Sequence, residues 1–219
     1  MIPNAAAEHP GIIYHRWYYD SGIWQQVSFL GVTCLKSVTD LWNYQEILTQ
    51  IRPSLLIEFG TACGGSALYF AHILGALNPE ARVLTVDINP TAINSAVREH
   101  PRITCMHAST TDPAVAETIT RMRSQAPGPA FAIIDSDHRR QHVLAELLLL
   151  RPVLIEGDYL IVEDTNINGH PVLPGWGDGP MEALTDYERQ FPSDYRHDSE
   201  REGKFGFTFA PNGFLVRNA

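Results

Sequence analysis

The chain has 219 residues, 44% hydrophobic and 10% aromatic, which suits one packed domain with an appended segment. A formal charge of −9 with no Lys/Arg cluster argues against a nucleic-acid partner, and no apolar run reaches the length of a membrane span. The N-terminus lacks a charged-then-apolar leader pattern, and Cys34, Cys63 and Cys105 are spaced for neither disulfides nor zinc, so a cytoplasmic enzyme is the expectation.

Residues 1–20 carry Pro3, Pro10 and the aromatic group Tyr14, Trp17, Tyr18 and Tyr19. Such an arm packs on the domain, on a second copy in a homo-oligomer, or over a substrate as a lid. Trp24 to Lys36 reads as loop, with Gly31 inside it. Thr39 to Leu48 reads as a helix, with Leu41, Tyr44, Ile47 and Leu48 on one face. Pro53 closes this N-terminal unit of residues 1–50, and residues 51–219 form the main domain.

Leu55–Phe59 is a buried strand that hands over, through Gly60-Thr61-Ala62-Cys63-Gly64-Gly65, to a helix beginning near Ser66. Glycines let the backbone approach a ligand, and the first helical N–H groups lack partners. A second strand, Arg82–Asp87, follows, ending in an acid placed where ribose hydroxyls are held in open α/β sheets. The turn lacks the Gly-x-Gly-x-x-Gly that brings backbone against a pyrophosphate, and Glu58 would repel a diphosphate while suiting an ammonium group. Both features point from NAD toward S-adenosylmethionine. Candidate contacts to it are Glu58, Gly60, Thr61, Gly64, Ser66, Asp87, Ile88, Ser109 and Asp135.

Beyond these come a helix over Pro90–His100, a strand over Ile103–His107, a helix after Pro113, a buried strand at Phe131–Ile134, a helix over His142–Leu150 and a strand at Tyr159–Val162. This alternation predicts a doubly wound, mainly parallel α/β sheet. The Gly/Pro-rich loop from Gly169 to Gly179 is long enough to suggest function. A helix over Met181–Phe191 follows, and residues 203–217 read as a closing antiparallel hairpin turning at Pro211-Asn212-Gly213.

Asp135, Asp137, Glu163 and Asp164 fall at the carboxyl ends of two successive predicted strands. Carboxylates brought together repel unless a cation neutralises them, and an oxygen-rich set favours Mg²⁺ or another hard divalent ion. His138 lies beside them with a pKa suited to a general base, and Asp135 is the alternative proton acceptor. His107, His142 and His170 flank the same crevice, and Trp17, Trp42 and Trp176 are candidate walls for an acceptor.

Glu58–Ala71, Asp135-Ser136-Asp137-His138 with His142-Val143, Val162–Asn166, Asn168–Pro171, Gly179–Ala183 and Leu41–Glu46 together resemble the cephalosporin hydroxylase / rhamnosyl O-methyltransferase family over roughly residues 20–217. The resemblance implies a class I methyltransferase fold, a seven-stranded Rossmann-like sheet with a C-terminal antiparallel hairpin. It also implies a divalent ion on the acids matching Asp137, Glu163 and Asp164, while related metal-dependent O-methyltransferases place a metal acid at the position of Asp135. The expected activity is methyl transfer from S-adenosylmethionine to a hydroxyl of a deoxysugar or similar natural-product or glycolipid acceptor. The rival readings are a partner-dependent component of an antibiotic hydroxylation or methoxylation system and an NAD(P)-dependent oxidoreductase.

Overall fold

The strand Leu55–Phe59 is buried at all five positions. Covering on both faces is what its unbroken apolar run demands, and the rest of the molecule supplies the two layers. The computed structural model describes residues 8–219; the first seven, including Pro3 of the aromatic arm, lie outside the described residues. In chain order the elements are α1 (Pro10–Asp20), β1 (Ser28–Phe29), β2 (Val32–Thr33), α2 (Val38–Ile51), β3 (Leu55–Phe59), α3 (Gly65–Leu77), β4 (Arg82–Asp87), α4 (Ser95–Arg98), β5 (Ile103–His107) and α5 (Pro113–Gln125). They continue through β6 (Ala130–Ile134), α6 (Arg140–Leu150), β7 (Tyr159–Val162), α7 (Pro180–Gln190), β8 (Tyr195–His197), α8 (Ser199–Gly203) and β9 (Phe214–Arg217). No helix among the described residues is long and apolar enough to cross a membrane.

The main sheet has seven strands in the order β5-β4-β3-β6-β7-β9-β8, parallel from β5 to β7 and antiparallel beyond. β3 pairs with β4 on one side and β6 on the other, so the connections leave it in opposite directions. That switch point opens a crevice above the carboxyl ends of the strands. On one face Leu41, Tyr44, Ile47 and Leu48 of α2 join Phe70 and Leu74 of α3 against the sheet. On the other, Val115 and Ile119 of α5, Val143 and Leu147 of α6 and Leu184 and Tyr187 of α7 cover it. Each large side chain so buried contributes about 1.5–3 kcal/mol.

Two expected elements are redrawn. Pro90–His100 is a 3₁₀ turn at Pro90–Ala92 followed by the short α4. Asn89 and Asn94 each cap a backbone N–H two residues on, and Ile93 between them is extended, so local caps interrupt the helix that apolar spacing alone suggests. The closing antiparallel pair is present, but β9 pairs with β8 rather than with residues near 205. Phe207 and Phe209 instead pack against Tyr18 of α1, and the Pro211-Asn212-Gly213 turn only feeds the chain into β9. Burying those aromatics under α1 outweighs extending the hairpin.

At the amino ends of the strands, away from the crevice, the almost fully buried Asp158 accepts hydrogen bonds from Ala130 N (2.7 Å) and Ile155 N (2.8 Å) and is paired with Arg123. Removing one member of a buried pair leaves the other charge uncompensated. Asp158→Ala is therefore expected to lower unfolding free energy by roughly 3 kcal/mol or more, read by urea denaturation, without altering ligand binding in the crevice.

Candidate active site

The turn after β3 is built against its neighbours. Gly60 has φ +96°, and a Cβ there would lie 1.9 Å from the carbonyl oxygen of Asp135, so only glycine lets β3 and β6 end side by side. Asp87, at the end of β4, folds its carboxylate onto the turn: Oδ2 accepts from Thr61 N and Ala62 N, both at 2.9 Å, and Oδ1 from Asn89 N at 2.7 Å. Beneath the turn, Thr85 donates to Glu58 Oε2 at 2.6 Å. Having spent its one proton there, the Thr85 hydroxyl accepts from Thr61 at 2.7 Å. Glu58 is fully buried, which pushes its carboxyl up to about 7 against the opposing pull of Lys36. It braces the turn from below and does not line the cavity above.

That cavity, about 720 Å³, is lined by Gly60 to Cys63, Gly65, Ser66, Asp87, Ile88 and Ser109 and by Asp135, His138, Asp164 and Trp176. Gly64 turns the chain at φ +87° but is not part of the lining.

The acidic cluster gathers side chains from four places in the sequence. His138 Nε2 lies 3.3 Å from Asp135 Oδ1 and 3.1 Å from Asp164 Oδ2. One ligand atom from each of Asp135, His138 and Asp164 fits within a span of 4.8 Å. Asp164 holds φ +56°, a left-handed conformation that costs a non-glycine residue about 1 kcal/mol, at the point where β7 must release its acid into the cavity. Behind these groups, the ammonium of Lys36 is paired with Asp135 and lies 3.4 Å from Glu163 Oε1, which also accepts from Tyr44 at 2.7 Å. Lys36 and Glu163 are both buried.

The protonation pattern follows from this packing. Burial alone would raise the Asp135 carboxyl, but Lys36 and then His138 hold it down at about 2. Burial drives Asp164 up to about 7 despite His138. Burial would lower His138, yet Asp164 and Asp135 carry it to about 9, so this imidazole acts as a cation between two carboxylates. Two carboxylates and an imidazole around one point form a donor set that suits a hard or borderline divalent ion.

Other expected residues land apart from this cluster. Asp137 lines the same cavity but is half exposed, accepts from Arg139 N at 3.2 Å and stands outside the group of Asp135, His138 and Asp164. His142 lines the cavity, bonded to Thr110 and facing Glu146. His107 bonds the Ile88 carbonyl, and His170 pairs with Glu182. Trp17 and Trp42 are exposed and do not line the cavity, whereas Trp176 does, together with Tyr19 and Trp24, whose rings stack 5.6 Å apart. Sequence reasoning missed Trp24 and Lys36, both in the stretch read as loop. The available signal for Lys36 was its rarity: it and Lys204 are the only lysines in the chain.

A family model described as "Rhamnosyl O-methyltransferase/CmcI" matches residues 21–218. The chain belongs to this family. It is 57% identical over 205 residues to a rhamnosyl O-methyltransferase of Mycobacterium tuberculosis (strain H37Rv), covering 94% of this chain and 84% of the relative. Among solved structures, apo CmcI superposes with TM-score 0.72 at 20% identity (89% of this chain, 77% of that one), and CmcI with Mg and SAM at 0.69 and 18% (89% and 78%). At those identities the likeness is one of fold, and it is the class I methyltransferase fold.

In this rhamnosyl O-methyltransferase/CmcI family member, the raised pKa of His138 has a definite sign. Its contribution to stability is full below pH 6.5, where the unfolded imidazole is also protonated, and is lost as pH rises through about 9. In EDTA, the stability difference between wild type and His138→Gln is therefore expected to be largest near pH 6 and to shrink by pH 9.5, as read by urea denaturation at the two values.

Proposed function

We propose that the protein transfers a methyl group from S-adenosylmethionine to a sugar hydroxyl, that of a rhamnosyl unit, with a divalent ion such as Mg²⁺ at the acidic cluster. The observation that carries this reading is that the Gly60–Ser66 turn with Asp87 and the group of Asp135, His138 and Asp164 line one cavity. The name of the M. tuberculosis relative supports the acceptor, and the Mg and SAM bound to CmcI support the two cofactors.

The residues present fit both groups. The open N–H groups at the start of α3, with Ser66, would hold the methionine end of the cofactor. Asp87 would exchange its hold on the turn for the ribose hydroxyls, and Ile88 and Ser109 would flank the adenine. Asp135 and Asp164, with Glu163 behind them, would hold the ion; of the Asp135/Asp137 doublet, only Asp135 faces the cluster. The ion, when bound, supplies positive charge that lowers the pKa of an acceptor hydroxyl and favours a vicinal diol.

The chain's own groups do the rest. While both carboxylates face it, His138 is neutral only as pH rises toward about 9, and in that form it would accept the hydroxyl proton as the oxygen bonds to the methyl carbon and the sulfur–methyl bond breaks, leaving a neutral thioether. Tyr19, Trp24 and Trp176 provide apolar walls for the carbon face of a sugar and exclude water, so that much of the acceleration comes from alignment of the in-line displacement.

His138→Ala and Asp164→Asn are each expected to cut methyl transfer to a rhamnoside by about 100-fold or more while calorimetric binding of S-adenosylhomocysteine persists. Unchanged turnover in both variants would refute the assignment. Trp176→Ala is expected to raise the acceptor KM about tenfold with little change in kcat, measured by steady-state kinetics at saturating cofactor.

A further inference from the structure

Lys36 is the one buried Lys or Arg among the described residues. Its ammonium is inserted between Asp135 and Glu163 on the side away from the cavity, while the other oxygen of Asp135 faces His138. Asp135 is thus divided between two positively charged neighbours, an inner one from the segment before α2 and an outer one at the cavity wall. Three carboxylates at adjacent strand ends would be costly to bury without such a charge.

The residue type matters as much as its position. Away from this site and apart from Lys204, the Lys/Arg ion pairs among the described residues are made by arginine, whose planar fork lets Arg123 on Asp158 and Arg151 on Asp194 each reach both carboxylate oxygens. At the one site where both carboxylates are candidates for a dissociable ion, the chain uses a compact point charge on a flexible stem, the side chain closest in character to a small cation. The backbone behind it is pinned. A Cβ on Gly65 would lie 2.2 Å from the carbonyl of Thr33 and 2.8 Å from the Cα of Cys34, so this segment is pressed against the start of α3. Any movement of the ammonium must therefore come from its stem.

We propose that Lys36 is a displaceable counter-cation: its ammonium holds Asp135 and Glu163 in place when no divalent ion is bound and yields them when one binds. This rests on the metal in the function proposed above. The site is thereby kept charge-compensated and folded in both states, and ion affinity is held below what the carboxylates alone would give. Lys36 is a positioning residue in this account, acting through the acids.

With two lysines in the chain, ¹⁵N-lysine labelling gives two side-chain resonances, and the exposed Lys204, paired with Glu46, serves as internal control. On titration with Mg²⁺ the Lys36 Nζ signal is expected to shift, and its hydrogen exchange to quicken, over the same range in which calorimetry shows binding, while Lys204 stays fixed. In calorimetry Lys36→Met is expected to bind Mg²⁺ and Mn²⁺ roughly tenfold tighter than wild type, the size of one like-charge interaction removed. Its ion-free melting temperature should fall, and Mn²⁺ should raise it by more than in wild type.

An unmoved Lys36 signal at saturating Mg²⁺, or Mn²⁺ affinity in Lys36→Met that is unchanged or weaker, would overturn the proposal while leaving the metal in place. No binding of either ion to wild type or variant would instead remove the metal from the proposed function, and this proposal with it. Should Lys36→Met fail to fold, the resonance titration of the wild-type protein decides alone.

Discussion

The cost of bringing Asp135, Glu163 and Asp164 together at the ends of β6 and β7 is the constraint around which the rest of the molecule is arranged. Carboxylates on neighbouring parallel strands sit within reach of one another whatever the side chains around them prefer. The protein answers with Lys36 and His138 as local positive partners and with the Tyr44 hydroxyl as a donor to Glu163. Each comes from a different segment: the stretch before α2, the loop after β6, and the buried face of α2. The site and the core on that side of the sheet are consequently one structure, since Tyr44 is also packed among Phe70, Phe131 and Phe214.

The turn after β3 obeys a steric constraint rather than an electrostatic one. β3 and β6 can end level only because Gly60 has no Cβ to strike the Asp135 carbonyl, and α3 can start where it does only because Gly65 has none to strike Thr33. Asp87 and the Glu58–Thr85–Thr61 chain then hold the turn between these contacts. A cofactor loop shaped by close backbone approach thus abuts an acid site shaped by charge balance, and the switch point of the sheet is where the two meet.

α1 contributes to the same end of the molecule. His15 is buried, which drives its imidazole down to about 4 and leaves the neutral ring to accept from Asn166 Nδ2 at 2.9 Å. Arg16 donates to the Pro171 carbonyl at 3.3 Å. The helix therefore braces the loop that leaves Asp164, while its last turn and the 3₁₀ turn after it place Tyr19 and Trp24 in the cavity wall.

By itself the sequence determined the succession of elements: alternating apolar runs and amphipathic helices, an acid before and an acid after a glycine turn, and paired acids after two later strands. These are local patterns with local causes, so the doubly wound sheet, the turn, Asp87 and the acid-rich crevice were all legible, as was the match of many short motifs to one family. What only the tertiary structure decided is which side chains face one another. Local spacing does not say that Asp135 and not Asp137 turns toward Asp164, because that depends on His138 and Arg139 beyond them. Nor does it say that Glu58 points under the turn, that Trp24 and not Trp42 lines the cavity, or that β9 finds β8. Lys36 is the plainest case: in a segment that reads as loop, its burial against acids 99 and 127 residues away is a property of the closed sheet and of charge compensation across it.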